Sequence, residues 1–102
     1  MKMATITEVV TFRVPEAVTD EQVISRAGAL LDFQRKIDGF IDAQLLKDTG
    51  ESAWCFIYHF ENMEKVEAMR RKLTGSKPLE DLISLTAAGS LQVVFYREVK
   101  SW

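Results

Sequence analysis

The chain has 102 residues and a mass of 11.6 kDa, is 47% hydrophobic and 27% charged, and carries a formal net charge of −2. That is the length of one domain with one core and leaves no room for a second; the apolar fraction excludes a disordered tail, and no apolar run approaches the ~18 residues of a membrane span. A single cysteine, Cys55, and a single histidine, His59, exclude an internal disulfide and a cysteine-rich zinc site, and the slight excess of acid argues against nucleic acid or an anionic membrane as partner.

The opening Met1-Lys2-Met3-Ala4-Thr5 lacks the apolar stretch of a signal peptide, which predicts a cytoplasmic location. Residues 5–14 are rich in β-branched types and alternate, so they read as a strand that Pro15 ends. Thr19 and Gln22 have the spacing of a capping box, with Val18 and Val23 placed as a hydrophobic staple. Asp20 and Glu21 then sit where a helix dipole favours acid, and Val23, Ala27, Leu30, Leu31 and Ile37 follow helical spacing. The pattern predicts a helix over 20–37, stopped by Gly39. Gly28 inside it costs about 1 kcal/mol relative to alanine, and close packing against the sheet is its expected reason.

Phe40 to Lys47 reads as a second strand, Asp48-Thr49-Gly50-Glu51 as a hairpin loop, and Ser52 to Phe60 as a third strand. Asn62 caps a second helix over 63–73, which Gly75 stops. Ser76-Lys77-Pro78 opens a short third helix reaching Leu85, and Leu91 to Val99 is a fourth strand. The order β-α-β-β-α-(α)-β predicts an α+β, ferredoxin-like domain over 1–102. Its four-stranded antiparallel sheet carries helices on one face.

The other sheet face must be polar or covered. A face carrying Val9, Ile41, Ala43, Leu45, Ile57, Val94 and Tyr96 would exceed the few hundred Å² of exposed apolar surface usual in monomers. A homodimer with its sheets face to face is therefore expected.

Asp38-Gly39-Phe40 leading to Leu45-Leu46, the run Trp54-Cys55-Phe56-Ile57-Tyr58-His59-Phe60-Glu61-Asn62-Met63-Glu64, and Ser76-Lys77-Pro78-Leu79 together resemble the antibiotic biosynthesis monooxygenase-like family. The resemblance implies a dimeric α/β barrel. Asp38 stands where that family often has proline, and Phe60 where it often has tryptophan. Its members include cofactor-independent monooxygenases of aromatic polyketides and haem-degrading monooxygenases. The asparagine, tryptophan and histidine of the haem-degrading members fall near Val10, on Phe60 and near Met69–Arg70. None of the three is present, so the resemblance implies no haem, and neither a cofactor nor a metal is expected.

The resemblance implies a pocket between sheet and helices, with Phe60 facing it. Alternation then puts Trp54, Phe56 and Tyr58 on the same face, either as walls for a small flat aromatic ligand or as the main core. Glu8 shares the parity of Val10 and Phe12; a carboxylate among apolar neighbours has a raised pKa and can serve as a base. Tyr58 is the other candidate base. Arg70 and Arg71 can hold an acidic group or face solvent. His59 and Cys55 have the opposite parity, and Asp42 and Gln44 either rim a pocket or face water.

Two functions follow from these residues. One is a monooxygenase in which Glu8 or Tyr58 deprotonates an aromatic or polyketide-like substrate, Arg70 holds its anion, and Trp54, Phe56 and Phe60 wall it in. The other is a non-catalytic dimer of the same fold that binds a small ligand or acts as a stress or accessory protein. The element order is also that of an RNA-recognition motif. That motif needs a basic residue and a glycine before its strand-three aromatics, where this chain has Glu51-Ser52-Ala53, so no nucleic acid is expected.

Overall fold

Alternating apolar residues and well-placed caps produce seven elements among the described residues. They are β1 (Ile6–Phe12), α1 (Asp20–Gln34), β2 (Phe40–Lys47), β3 (Trp54–Phe60), α2 (Met63–Leu73), α3 (Lys77–Ile83) and β4 (Gln92–Arg97). The structure is a computed structural model that describes residues 5–102. Met1 to Ala4, on which the expected cytoplasmic location partly rests, lie outside the described residues.

The sheet runs β2-β3-β1-β4 with every neighbour antiparallel, which is the expected α+β, ferredoxin-like arrangement. The capping box forms in full: Gln22 N–H donates to Thr19 Oγ1 at 3.2 Å, and Thr19 N–H donates to Gln22 Oε1 at 2.8 Å. Asn62 Oδ1 caps α2 by accepting from Lys65 N–H at 3.0 Å.

Several elements are shorter than their patterns suggest, each for a local reason. The α-helical bonding of α1 stops at Gln34, and one tight turn follows in which Ile37 N–H donates to Gln34 C=O at 3.0 Å. That turn keeps Ile37 buried while the chain reverses into Gly39. β1 stops at Phe12 because the Arg13 backbone is bound elsewhere, accepting from Ala87 N–H at 2.7 Å and donating to Ser90 Oγ at 3.0 Å. β3 starts at Trp54 because Asp48 Oδ1 takes the N–H groups of Ser52 and Ala53. β4 ends at Arg97, its last pair with β1, and Glu98 N–H closes the ladder on Thr5 C=O at 3.1 Å.

The core lies between the inner sheet face and the helices. Ile6, Phe56, Tyr58 and Phe60 meet Ala27 and Leu30 of α1, Val66 and Met69 of α2, and Leu82 of α3. A smaller cluster joins Phe12, Val23 and Trp54, with Val18 packed beside it as the staple requires.

The outer sheet face differs from its expected make-up. The β2–β3 register shifts between Phe40 and Asp42, so Phe40 stands opposite Phe60, Ala43 opposite Tyr58 and Leu45 opposite Phe56. An extra residue in one strand reverses the parity of everything before it. Ala43 and Leu45 therefore pack on the core, while Asp42, Gln44 and Leu46 take the outer face. Leu46, Val94 and Tyr96 are exposed there beside half-buried Val9 and Ile57, among polar Thr7, Thr11, His59 and Gln92.

Gly28 is a second correction. A Cβ built on it meets nothing within 4 Å, so close packing does not explain the glycine. Gly28→Ala is expected to stabilise the protein by up to about 1 kcal/mol, because alanine loses less backbone entropy in a helix. A thermal melt reads this as a rise of a few degrees.

Candidate functional site: an aromatic cavity with a desolvated carboxylate

The inner parity of β1 points Glu8 at the helices between Ile6 and Val10, with Tyr58 of β3 on one side and Phe95 of β4 on the other. α2 packs over β3, whereas α3 packs chiefly against α1, so the β1–β4 side of the sheet is incompletely covered. A cavity of about 270 Å³ remains there. Glu8, Val10 and Phe12 line it from β1, and Phe56 and Tyr58 from β3. Leu30 and Gln34 close it from α1, Leu79, Leu82 and Ile83 from α3, and Leu91 and Val93 from the β4 side. Arg70, Leu73 and Thr74, at the end of α2, form its rim.

Its electrostatics follow from that setting. Burial among apolar walls pushes the Glu8 carboxyl up to about 7, and the Arg70 guanidinium partly opposes the shift. Tyr58 is held well above its usual phenol range, first by burial and then by the charge of Glu8, against a smaller opposing pull from Gln34. The carboxyl thus exchanges its proton near neutrality, and the phenol keeps its own. Arg70 lies over the Phe95 ring, 5.5 Å from the centroid, which ties a flexible cation to the cavity mouth. Phe56 and Tyr58 stack with centroids 4.3 Å apart and rings within 14° of parallel, giving a flat wall.

Of the residues singled out in the sequence, Glu8, Tyr58, Phe56 and Arg70 come together around this cavity. Trp54 and Phe60 share their face but do not line it. The two lie at opposite ends of β3, six residues or about 20 Å apart. Trp54 stacks on Phe12 with Lys47 5.0 Å above its ring, and Phe60 is sealed in the core against Phe40. His59 lies on the outer face, where its Nδ1 bonds the Asp42 carboxylate across the β2–β3 pair. Cys55 is half-buried on that same face. Among the described residues no three His, Cys, Asp or Glu side chains come close enough to hold a metal ion.

Gln34 is the site residue that the sequence reading missed. It is 2% exposed, and its Oε1 has no hydrogen-bond partner among the described residues. The signal was in the chain: Val23, Ala27, Leu30 and Gln34 form one stripe, so a polar residue sits at a core position of α1.

No family model and no curated protein matches the chain. Solved structures do. SnoaB, a cofactor-independent oxygenase from Streptomyces nogalater, is 13% identical, with a TM-score of 0.82 over 96% of each chain. The monooxygenase ActVA-Orf6 of Streptomyces coelicolor, in complex with nanaomycin D, is 22% identical, with a TM-score of 0.78 over 97% of this chain and 91% of that one. A putative antibiotic biosynthesis monooxygenase from Bordetella bronchiseptica is 11% identical, with a TM-score of 0.79 over 96% and 100%.

The protein thus has the ferredoxin-like fold of these solved structures. Its neighbours in structure are antibiotic biosynthesis monooxygenase-like proteins, the group that the sequence motifs resemble. Among the described residues no helix is long and apolar enough to cross a membrane.

Proposed function

We propose that the protein is a cofactor-independent monooxygenase of a small, flat aromatic or polyketide-like molecule, working as a cytoplasmic homodimer. The observation that carries the proposal is a half-buried carboxylate, Glu8, on the wall of a largely apolar and aromatic cavity. A cavity of about 150 Å³ holds one benzene ring, so 270 Å³ encloses about two fused rings and leaves a third at the mouth beside Arg70.

The scheme takes its electrons from the substrate. Glu8 removes a proton from an activated CH₂ flanked by aromatic rings or carbonyls. The enolate passes one electron to O₂, and the resulting superoxide and carbon radical combine into a C–O bond. Protonated Glu8 returns its proton to the peroxide anion; loss of the second C–H proton then breaks the O–O bond, and the departing hydroxide leaves with that proton as water. The net change is CH₂ + O₂ → C=O + H₂O. Arg70 holds the enolate oxygen, Tyr58 donates a hydrogen bond from its neutral phenol, and the apolar walls exclude water that would quench the carbanion.

O₂ consumption with a panel of anthrones and quinols tests this. One O₂ per anthrone, a quinone product and a loss of about 10²-fold or more in Glu8→Gln are expected. Absence of turnover across the panel, or full activity in the variant, overturns it. The second reading, a ligand-binding protein without catalysis, is favoured by the apolar Val10 and Phe60, where the resemblance implies polar or indole groups. An aromatic that co-purifies and is not consumed under O₂ would establish it.

The dimer is proposed through the outer sheet face, where Leu46, Val94 and Tyr96 are each 44% exposed or more. Equilibrium sedimentation should give twice the 11.6 kDa of the chain, and Val94→Arg should shift it toward the single mass. A single mass at tens of micromolar contradicts the dimer.

A further inference from the structure

Every wall of the cavity except one is accounted for by packing or by the proposed proton transfer. The exception is Gln34, at the C-terminal end of α1. Its side chain is almost fully buried, lines the cavity and reaches the Tyr58 hydroxyl, yet Oε1 has no partner among the described residues. A buried carbonyl oxygen left unpaired is costly, and a leucine would fill the same core position without that cost. The terminal torsion of glutamine is broad, so the carboxamide can turn its oxygen to the cavity without leaving its well.

We infer that Gln34 is a specificity residue that accepts a hydrogen bond from an aromatic hydroxyl of the ligand, so the site takes hydroxylated fused-ring aromatics in preference to their deoxy counterparts. This rests on the cavity being a ligand site, as proposed above. It adds a direction: the ligand's phenol points toward α1 and Gln34, and the opposite end of the ring system points toward Arg70 at the mouth. An oxygen that only accepts rewards a donor, so a phenol is matched at that position.

Calorimetric titration of the full chain with 1-naphthol and with naphthalene reads this without any turnover. Wild type should bind 1-naphthol about tenfold more tightly than naphthalene. Gln34→Leu should bind naphthalene at least as well as wild type and lose the preference. Gln34→Met should do the same, and serves if the leucine variant misfolds. Equal binding of the two compounds to wild type overturns the inference, as would follow if a single water satisfied the oxygen. So does a preference that survives in either variant, or failure of both compounds to bind. If the preference holds and Gln34 carries it while no anthrone is oxidised, the hydroxyaryl site stands and the monooxygenase reading falls.

Discussion

Glu8→Gln is expected to stabilise the protein by about 2 kcal/mol at pH 8, raising its melting temperature by roughly 10 °C, while removing its base. The folded carboxyl binds its proton up to about pH 7, whereas an unfolded glutamate releases it near 4.5. Between those values the native state holds more protons than the unfolded state. Stability is therefore fully present below about 4.5, falls as pH rises to 7, and is flat above. The full span of that shift corresponds to about 3 kcal/mol; partial solvent contact reduces it to about 2. The variant should show no such decline. Melting curves from pH 4.5 to 8.5 check this, and a wild type whose stability rises through that window contradicts it. Improved stability with lost activity is the signature of a group kept for function at a cost to the fold.

Gly39→Ala should have the opposite sign and a comparable size. Gly39 turns the chain from α1 into β2 at φ +93°, a region that L side chains seldom adopt. A Cβ there would also overlap the Lys65 side chain beginning at its own Cβ, which cannot swing aside because α2 fixes it. The first turn of α2 would have to move, taking with it the bond from Glu61 N–H to Gly39 C=O at 2.9 Å and the Lys65–Asp38 ion pair. Strain and displacement together cost about 3 kcal/mol, a fall of roughly 15 °C in melting temperature. A melt within two or three degrees of wild type shows instead that the turn is not constrained in this way.

Much of the architecture was legible because it is written in local chemistry. The Thr19–Gln22 box, the Asn62 cap and the four inward aromatics of β3 each act over a few residues, and each forms as its pattern implies. What the pattern hid was non-local. The register shift at Phe40/Asp42 depends on how β2 meets β3, and nothing in residues 40–47 alone announces it; it moved Ala43 and Leu45 from the outer face to the core.

The site divides along the same line. Glu8 was legible because a carboxylate among alternating apolar residues is a local anomaly. Arg70 was visible only as one of two neighbouring arginines, and it reaches the cavity because the end of α2 stops over it. Gln34 was overlooked because it falls on a stripe read for its hydrophobic members. Whether Trp54 and Phe60 join the cavity depended on where the helices leave a gap, which parity along β3 does not determine.

The proton affinity of Glu8 tests the account at its centre, since the cavity, the base and the pH behaviour all depend on a carboxylate kept from water. Infrared difference titration of wild type against Glu8→Gln isolates its carboxyl and carboxylate bands. A midpoint at about pH 7 is the predicted result. A midpoint below about 5, in the range of an ordinary solvated glutamate, would contradict it.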